Sequence, residues 1–143
     1  MNIFIANEQK HFVDAFRIRA HVFLGEQKIS PYIEIDEYDK HSPLFIAYKD
    51  KKPVGTGRII IEGNIGKIGR VAVLKDYRNS GIGSQIILEM LDYLKQNSEV
   101  KEVRLGAQSK AIKFYENLGF KPYGGRFIEA TIEHQSMKYQ LRK

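Results

Sequence analysis

A chain of 143 residues, 43% hydrophobic and 28% charged, is long enough for one sizeable core and too short for two, so a single domain over residues 1–143 is expected. It contains no cysteine, which excludes a disulfide framework, a thiolate metal site and a cysteine nucleophile carrying an acyl group; no stretch has the length or apolarity of a membrane span or signal peptide, so a cytoplasmic address is expected. The formal charge of +6 favours an anionic partner, but the lysines are scattered and no basic run interleaves with aromatics, so neither nucleic acid nor a membrane is expected as that partner.

Asn2 to Ala6 is a short β-like run, and His11 to Phe23 then places Phe12, Ala15, Phe16, Arg19, Val22 and Phe23 at helical spacing. From Gly25 to His41 the pattern dissolves around Pro31, which predicts a long loop or short helical turns. Glu26, Glu34, Asp36, Glu37 and Asp39 crowd into that stretch of an otherwise basic chain. Leu44 to Lys49, Val54 to Ile61 and Ile65 to Leu74 read as a meander of three strands, separated by turn residues at 50–53 and 62–64.

After Arg70-Val71-Ala72-Val73 the chain turns through Lys75 to Ser80, and Ile82, Ile86, Ile87, Met90, Leu91 and Leu94 mark the apolar face of a helix. Glu102 to Ala107 alternates like a strand, and Ala111, Phe114, Tyr115 and Leu118 follow at i, i+3, i+4, i+7, with Gly119 positioned to end a helix. Arg126 to Leu141 closes as a strand whose apolar parity shifts, which a bulge or break near His134 to Ser136 would explain. These elements make an α/β (α+β) chain.

Arg78-Asn79-Ser80-Gly81-Ile82-Gly83-Ser84 is the segment most suited to a pyrophosphate. A glycine turn feeding a helix N-terminus supplies converging backbone N–H groups and the positive end of the helix dipole. The spacing is neither a P-loop nor a dinucleotide fingerprint, because no G-x-x-x-x-G-K-[ST] run is present and Ile86 stands where a third glycine would be.

With Val73 before it, the run Val73-x-x-x-x-Arg78-x-x-Gly81-x-Gly83 resembles the coenzyme A signature of the GNAT acetyltransferases. Downstream, Gln108-x-x-Ala111-x-x-Phe114-Tyr115-x-x-x-Gly119-Phe120 resembles the second half of their pattern, with glutamine in place of the usual asparagine. Arg19-x-x-Val22-Phe23-x-x-Glu26-Gln27, Pro31-Tyr32-x-Glu34-x-Asp36-x-x-Asp39 and Phe127-x-Glu129-x-x-Ile132-x-His134-x-x-Met137 are similar to the ElaA-like (YjcF-like) branch. The resemblance implies a GNAT fold: a mixed, mostly antiparallel twisted sheet of six to seven strands, flanked by helices and splayed at the coenzyme-binding strand. It implies acetyl-CoA as co-substrate, held by Val71, Ala72, Val73, the 78–84 turn, Gln108, Ala111, Phe114 and Tyr115, and no metal.

Acetyl transfer to an amine needs charge on the thioester oxygen stabilised, the amine neutral and the departing thiolate protonated. The resemblance puts the Tyr115 hydroxyl near the coenzyme sulfur as general acid. Candidates for the base are His134, Glu129, Glu34 and Asp36. The acidic stretch falls where the resemblance implies an acceptor pocket, so Glu26, Glu34 and Asp36 are expected to draw in a cationic amine. The expected acceptor is a small-molecule or peptidic primary amine, attacked directly in a ternary complex, with a homodimer left open. The alternative is a non-catalytic acyl-CoA sensor on the same fold.

Overall fold

The computed structural model describes residues 1–143. Seven strands form one sheet: β1 (Asn2–Ile5), β2 (Leu44–Lys49), β3 (Lys52–Glu62), β4 (Ile65–Val73), β5 (Glu102–Gln108), β6 (Lys121–Glu129) and β7 (Ile132–Gln140). Their order is β1-β2-β3-β4-β5-β7-β6, and every pairing is antiparallel except β4 with β5. This is the mixed, mostly antiparallel sheet of the expected class.

The helices are α1 (Gln9–Arg19), α2 (Pro31–Glu34), α3 (Ile82–Lys95) and α4 (Ile112–Asn117). On one sheet face, Ile86, Ile87, Met90 and Leu94 of α3 are wholly buried against Val54, Ile59, Val103 and Met137. Burying each such side chain stabilises the fold by roughly 1.5–3 kcal/mol. Ala15 and Ile18 of α1 cover the opposite face of β2 to β4, with Leu44, Ile46 and Ala72.

Two elements differ from the sequence expectation. The first helix begins earlier than His11 and continues as a π-helical segment, Ala20–Glu26, in which the Gln27 amide reaches back to the Val22 carbonyl at 3.0 Å. The wider winding keeps Val22 and Phe23 in the core while carrying Glu26 and Gln27 over the sheet. The parity shift near the C-terminus is a hairpin and not a bulge at 134–136. β6 and β7 join through Ala130 and Thr131, at φ 51° and 65°. β7 then pairs with β5 without interruption from Gln108↔His134 to Glu102↔Gln140. Alanine and threonine are poor residues for a mirror-image two-residue turn, so composition gave no hairpin signal.

The feature that positions the site lies between β4 and β5. They pair over only three residues, Ile65–Lys67 against Glu102–Arg104. Beyond them β4 carries an extra residue, because Arg58 faces Gly69 while Thr56 faces Ala72, and Arg70 sits in the left-handed region at φ 52°. Such a bulge bends its strand. β4 stays with β3 as far as Val73, β5 stays with β7 as far as Gln108, and a wedge opens between them.

Candidate active site

The wedge is a cavity of about 1310 Å³. β4 has no partner on its β5 side past Lys67, so those amides between Gly69 and Val73 that point away from β3 face it unpaired by sheet. At its mouth the chain passes through Arg78 and Asn79 (φ 62°) to Gly81, which caps α3 at φ 86°. A β-carbon at Gly81 would meet nothing within 4 Å, so glycine is required there by backbone conformation and not by crowding. Gln85 is the first residue of α3 whose amide bonds back, to the Gly81 carbonyl at 3.1 Å. The amides of Ile82, Gly83 and Ser84 lie in the turn that leaves donors free for an anion.

Every residue expected to hold the coenzyme lines this cavity except Ser80 and Ile82. The Ser80 hydroxyl turns back to the Tyr77 carbonyl at 2.5 Å, and the Ile82 side chain is in the core. Two lining side chains are held from across the wedge. Arg78 donates through Nε to the Val73 carbonyl at 2.8 Å and through both terminal nitrogens to Glu26, at 2.7 and 2.9 Å. Gln108 and Gln27 exchange amide hydrogen bonds of 3.0 and 3.3 Å.

Tyr115, His134 and Glu129 line the same cavity. Tyr115 is buried, its ring edge-on to Phe114 and Phe120, and burial pushes the phenol pKa up, so the group keeps its proton. His134 stacks on Phe127, with ring centroids 5.5 Å apart, and its Nδ1 lies 2.7 Å from the Ile132 carbonyl. A carbonyl only accepts, so Nδ1 carries the hydrogen and Nε2 of the neutral ring presents a lone pair. Gly106, beside His134 on the neighbouring strand, gives the pair room: a β-carbon there would come within 3.2 Å of Phe127 Cζ and 3.8 Å of His134 Cδ2. Glu129 is exposed next to the hairpin turn and engages no cation of the chain.

The acidic stretch does not form a free negative wall. Glu26 is clamped on Arg78 and lies outside the cavity lining. Both oxygens of Glu34 accept from Arg19, at 2.5 and 3.1 Å, while Asp36 accepts from Arg58 and Arg70. Asp39 bridges Arg19 and Arg58. Three guanidinium groups thus meet three carboxylates. Burial disfavours the Asp39 charge, but hydrogen bonds from Arg19, the Asp36 amide and Arg58, with the Arg19 charge, together outweigh it and hold the carboxyl down at about 2. Burial likewise works against the Arg19 charge, and its bonds to Asp39 and Glu34 more than compensate, raising its pKa. Glu34 and Asp36 border the cavity with their lone pairs already occupied.

Sequence reasoning missed several lining residues, among them Gln27, Lys67, Arg70, Arg104, Tyr123 and Phe127. A signal for the arginines was present: Arg19 falls on the apolar stripe of α1, and Arg58 and Arg70 stand in β-branched runs, positions that charges occupy only when paired.

The family profile described as "Acetyltransferase (GNAT) domain" matches residues 4–141. YjcF of Bacillus subtilis, an uncharacterized N-acetyltransferase, is 34% identical over 138 residues, covering 96% of this chain and 98% of its own. ElaA of Escherichia coli superposes with a TM-score of 0.86 at 26% identity, over 97% of this chain and 99% of its own. An aminoglycoside 6'-N-acetyltransferase solved with coenzyme A shares the fold at a TM-score of 0.79 and 13% identity, over 100% of this chain and 98% of its own. A splayed β4–β5 wedge, a glycine turn opening α3 and a match over nearly the whole length agree: the chain belongs to the GNAT acetyltransferases.

Proposed function

We propose that the chain moves an acetyl group from acetyl-CoA to a primary amine by direct attack within the β4–β5 wedge. The observation that carries this reading is the convergence of a helix-capping glycine turn, a buried protonated phenol and an imidazole with a free Nε2 on one cavity. Coenzyme A is the ligand of the aminoglycoside enzyme that shares this fold, and a pyrophosphate suits the α3 turn here.

The pantetheine arm enters between the strands, with Gln108 and the free edge amides of β4 as its partners, and the same amides face the thioester oxygen as it gains charge. The amine nitrogen forms a bond to the thioester carbon while the carbon–sulfur bond breaks. The proton lost by the amine goes to His134 Nε2, and the departing sulfur takes one from the Tyr115 hydroxyl. Solvent restores both groups. Glu129, paired with Ile132 two residues before His134, is a carboxylate on the cavity that attracts the ammonium form, which sheds its extra proton to solvent before attack. With no cysteine in the chain, transfer has no thiol route through a covalent acyl-enzyme.

Thiol release from acetyl-CoA across a panel of primary amines tests the reading. Amine-dependent release supports it. Binding of acetyl-CoA with no release for any amine would instead favour an acyl-CoA sensor.

A further inference from the structure

We infer that the acceptor carries an anionic group, a phosphate or carboxylate several bonds from its amine, held by Lys67 and Arg104. This rests on the transferase reading above. Lys67 and Arg104 face each other as a register pair at the base of the wedge, where the parallel pairing ends, and both line the cavity. Arg70 borders the same space.

The available hydrogen-bonding groups decide the sign of the ligand. Of the carboxylates bordering the cavity, Glu34 and Asp36 already accept from Arg19, Arg58 and Arg70, which leaves Glu129 as the free one. The cations are differently placed. Arg104 bonds Glu102 through Nε alone, so neither terminal nitrogen is held by a carboxylate, and its guanidinium lies over the Tyr123 ring at 5.6 Å. With both terminal nitrogens free of carboxylates, the guanidinium keeps the pair of donors that takes a carboxylate or phosphate bidentately. Lys67 meets Glu62 at 3.1 Å with both side chains about half exposed, a surface pair that an incoming anion displaces readily. Glu62 and Glu102 themselves lie outside the lining. Arg70 uses Nε and one terminal nitrogen on the Glu34 and Ile33 carbonyls and Asp36, and its other terminal nitrogen bonds nothing in the chain.

Geometry sets the spacing. His134 pairs with Gln108, four residues along β5 from Arg104. At about 3.3 Å per residue that is ~13 Å of strand, which long Lys and Arg side chains shorten to roughly 5–10 Å between the bound anion and the attacked carbon. An α-amino acid is too short to span this, whereas an ω-amino acid or an aminoalkyl phosphate reaches.

The test is kcat/KM by thiol release for 5-aminopentanoate against pentylamine, 3-aminopropyl phosphate against propylamine, and spermidine as a cationic amine, at low and at physiological salt. The two anionic arms separate a carboxylate from a phosphate ligand. At least one anionic amine should exceed its uncharged partner and spermidine by about tenfold, with the advantage shrinking in salt. Lys67→Gln combined with Arg104→Gln, both solvent-facing changes, should abolish that advantage while the KM for acetyl-CoA and the rate with the uncharged amine hold. Preference for spermidine, parity within both pairs, or an advantage that survives the double variant would overturn the inference. If no amine is acetylated, the transferase reading fails, and calorimetric titration of the anionic amines into the coenzyme A-saturated protein still decides the inference. Binding that the double variant loses supports it, and absence of binding overturns it.

Discussion

The side-chain amides of Gln27 and Gln108 bond each other across the wedge at 3.0 and 3.3 Å, joining the end of the π-helical segment to the end of β5. Each amide keeps one N–H and one oxygen lone pair for another partner. Glutamine is longer than the asparagine usual in this family motif, and the reciprocal pair restrains the extra methylene. The neighbouring Glu26 does the same for Arg78 on the opposite wall.

Gln27→Ala should therefore loosen the coenzyme grip without touching chemistry. Both bonds of the pair are lost, and the loosened Gln108 then forfeits its one hydrogen bond to the coenzyme, worth about 0.5–1.5 kcal/mol, so the KM for acetyl-CoA should rise roughly 2- to 12-fold. Steady-state kinetics should show kcat within about twofold of wild type. A fall in kcat at unchanged KM would place Gln27 elsewhere in the mechanism.

Tyr115→Phe separates a general acid from a core aromatic. The hydroxyl makes no hydrogen bond within the chain, and the ring contacts survive the change, so melting temperature and coenzyme affinity should stay near wild type. Turnover should drop by ~10²-fold or more. Equal turnover would remove Tyr115 from the reaction.

His134→Gln and Glu129→Gln distinguish the two candidate bases. His134 has a defined tautomer and a stacked ring, while Glu129 is exposed and unconstrained. Loss of His134 should lower kcat/KM by ~10²-fold or more, against about fivefold or less for Glu129. The reverse order would make Glu129 the base.

Asp39 couples stability to acid. Its folded pKa of about 2 lies below its ordinary 3.8, so its contribution is complete above about pH 4 and is lost as pH falls through about 2. Asp39→Asn leaves Arg19 and Arg58 short of a carboxylate and should cost about 3 kcal/mol near neutrality. Urea unfolding should show the gap between wild type and variant narrowing by roughly 2 kcal/mol from about pH 5 to about pH 2. A gap independent of pH would exclude this linkage.

The turn and helix of the proposed coenzyme half were legible because they are shaped by local sequence: Gly81 and Gly83 mark the turn, and the apolar spacing from Ile82 to Leu94 marks the helix behind it. The acceptor half was not, because its charges are set by pairings between residues far apart in sequence. Glu34 reads as a free acid until Arg19, fifteen residues away, is seen to occupy it, and Asp36 until Arg58 and Arg70 close on it. The Ala130-Thr131 hairpin escaped for a different reason: its turn residues tolerate positive φ only because β6 and β7 are already paired through the sheet.

Amide shifts in an ¹⁵N-labelled sample titrated with coenzyme A test the central claim most directly, since they report where the coenzyme sits independently of any acceptor. The largest perturbations should fall on Gly69 to Val73, on Gly81 to Ser84 and on the Gln27 and Gln108 side-chain amides, on both walls of the wedge. No perturbation, or shifts confined to β1 and α1, would contradict it.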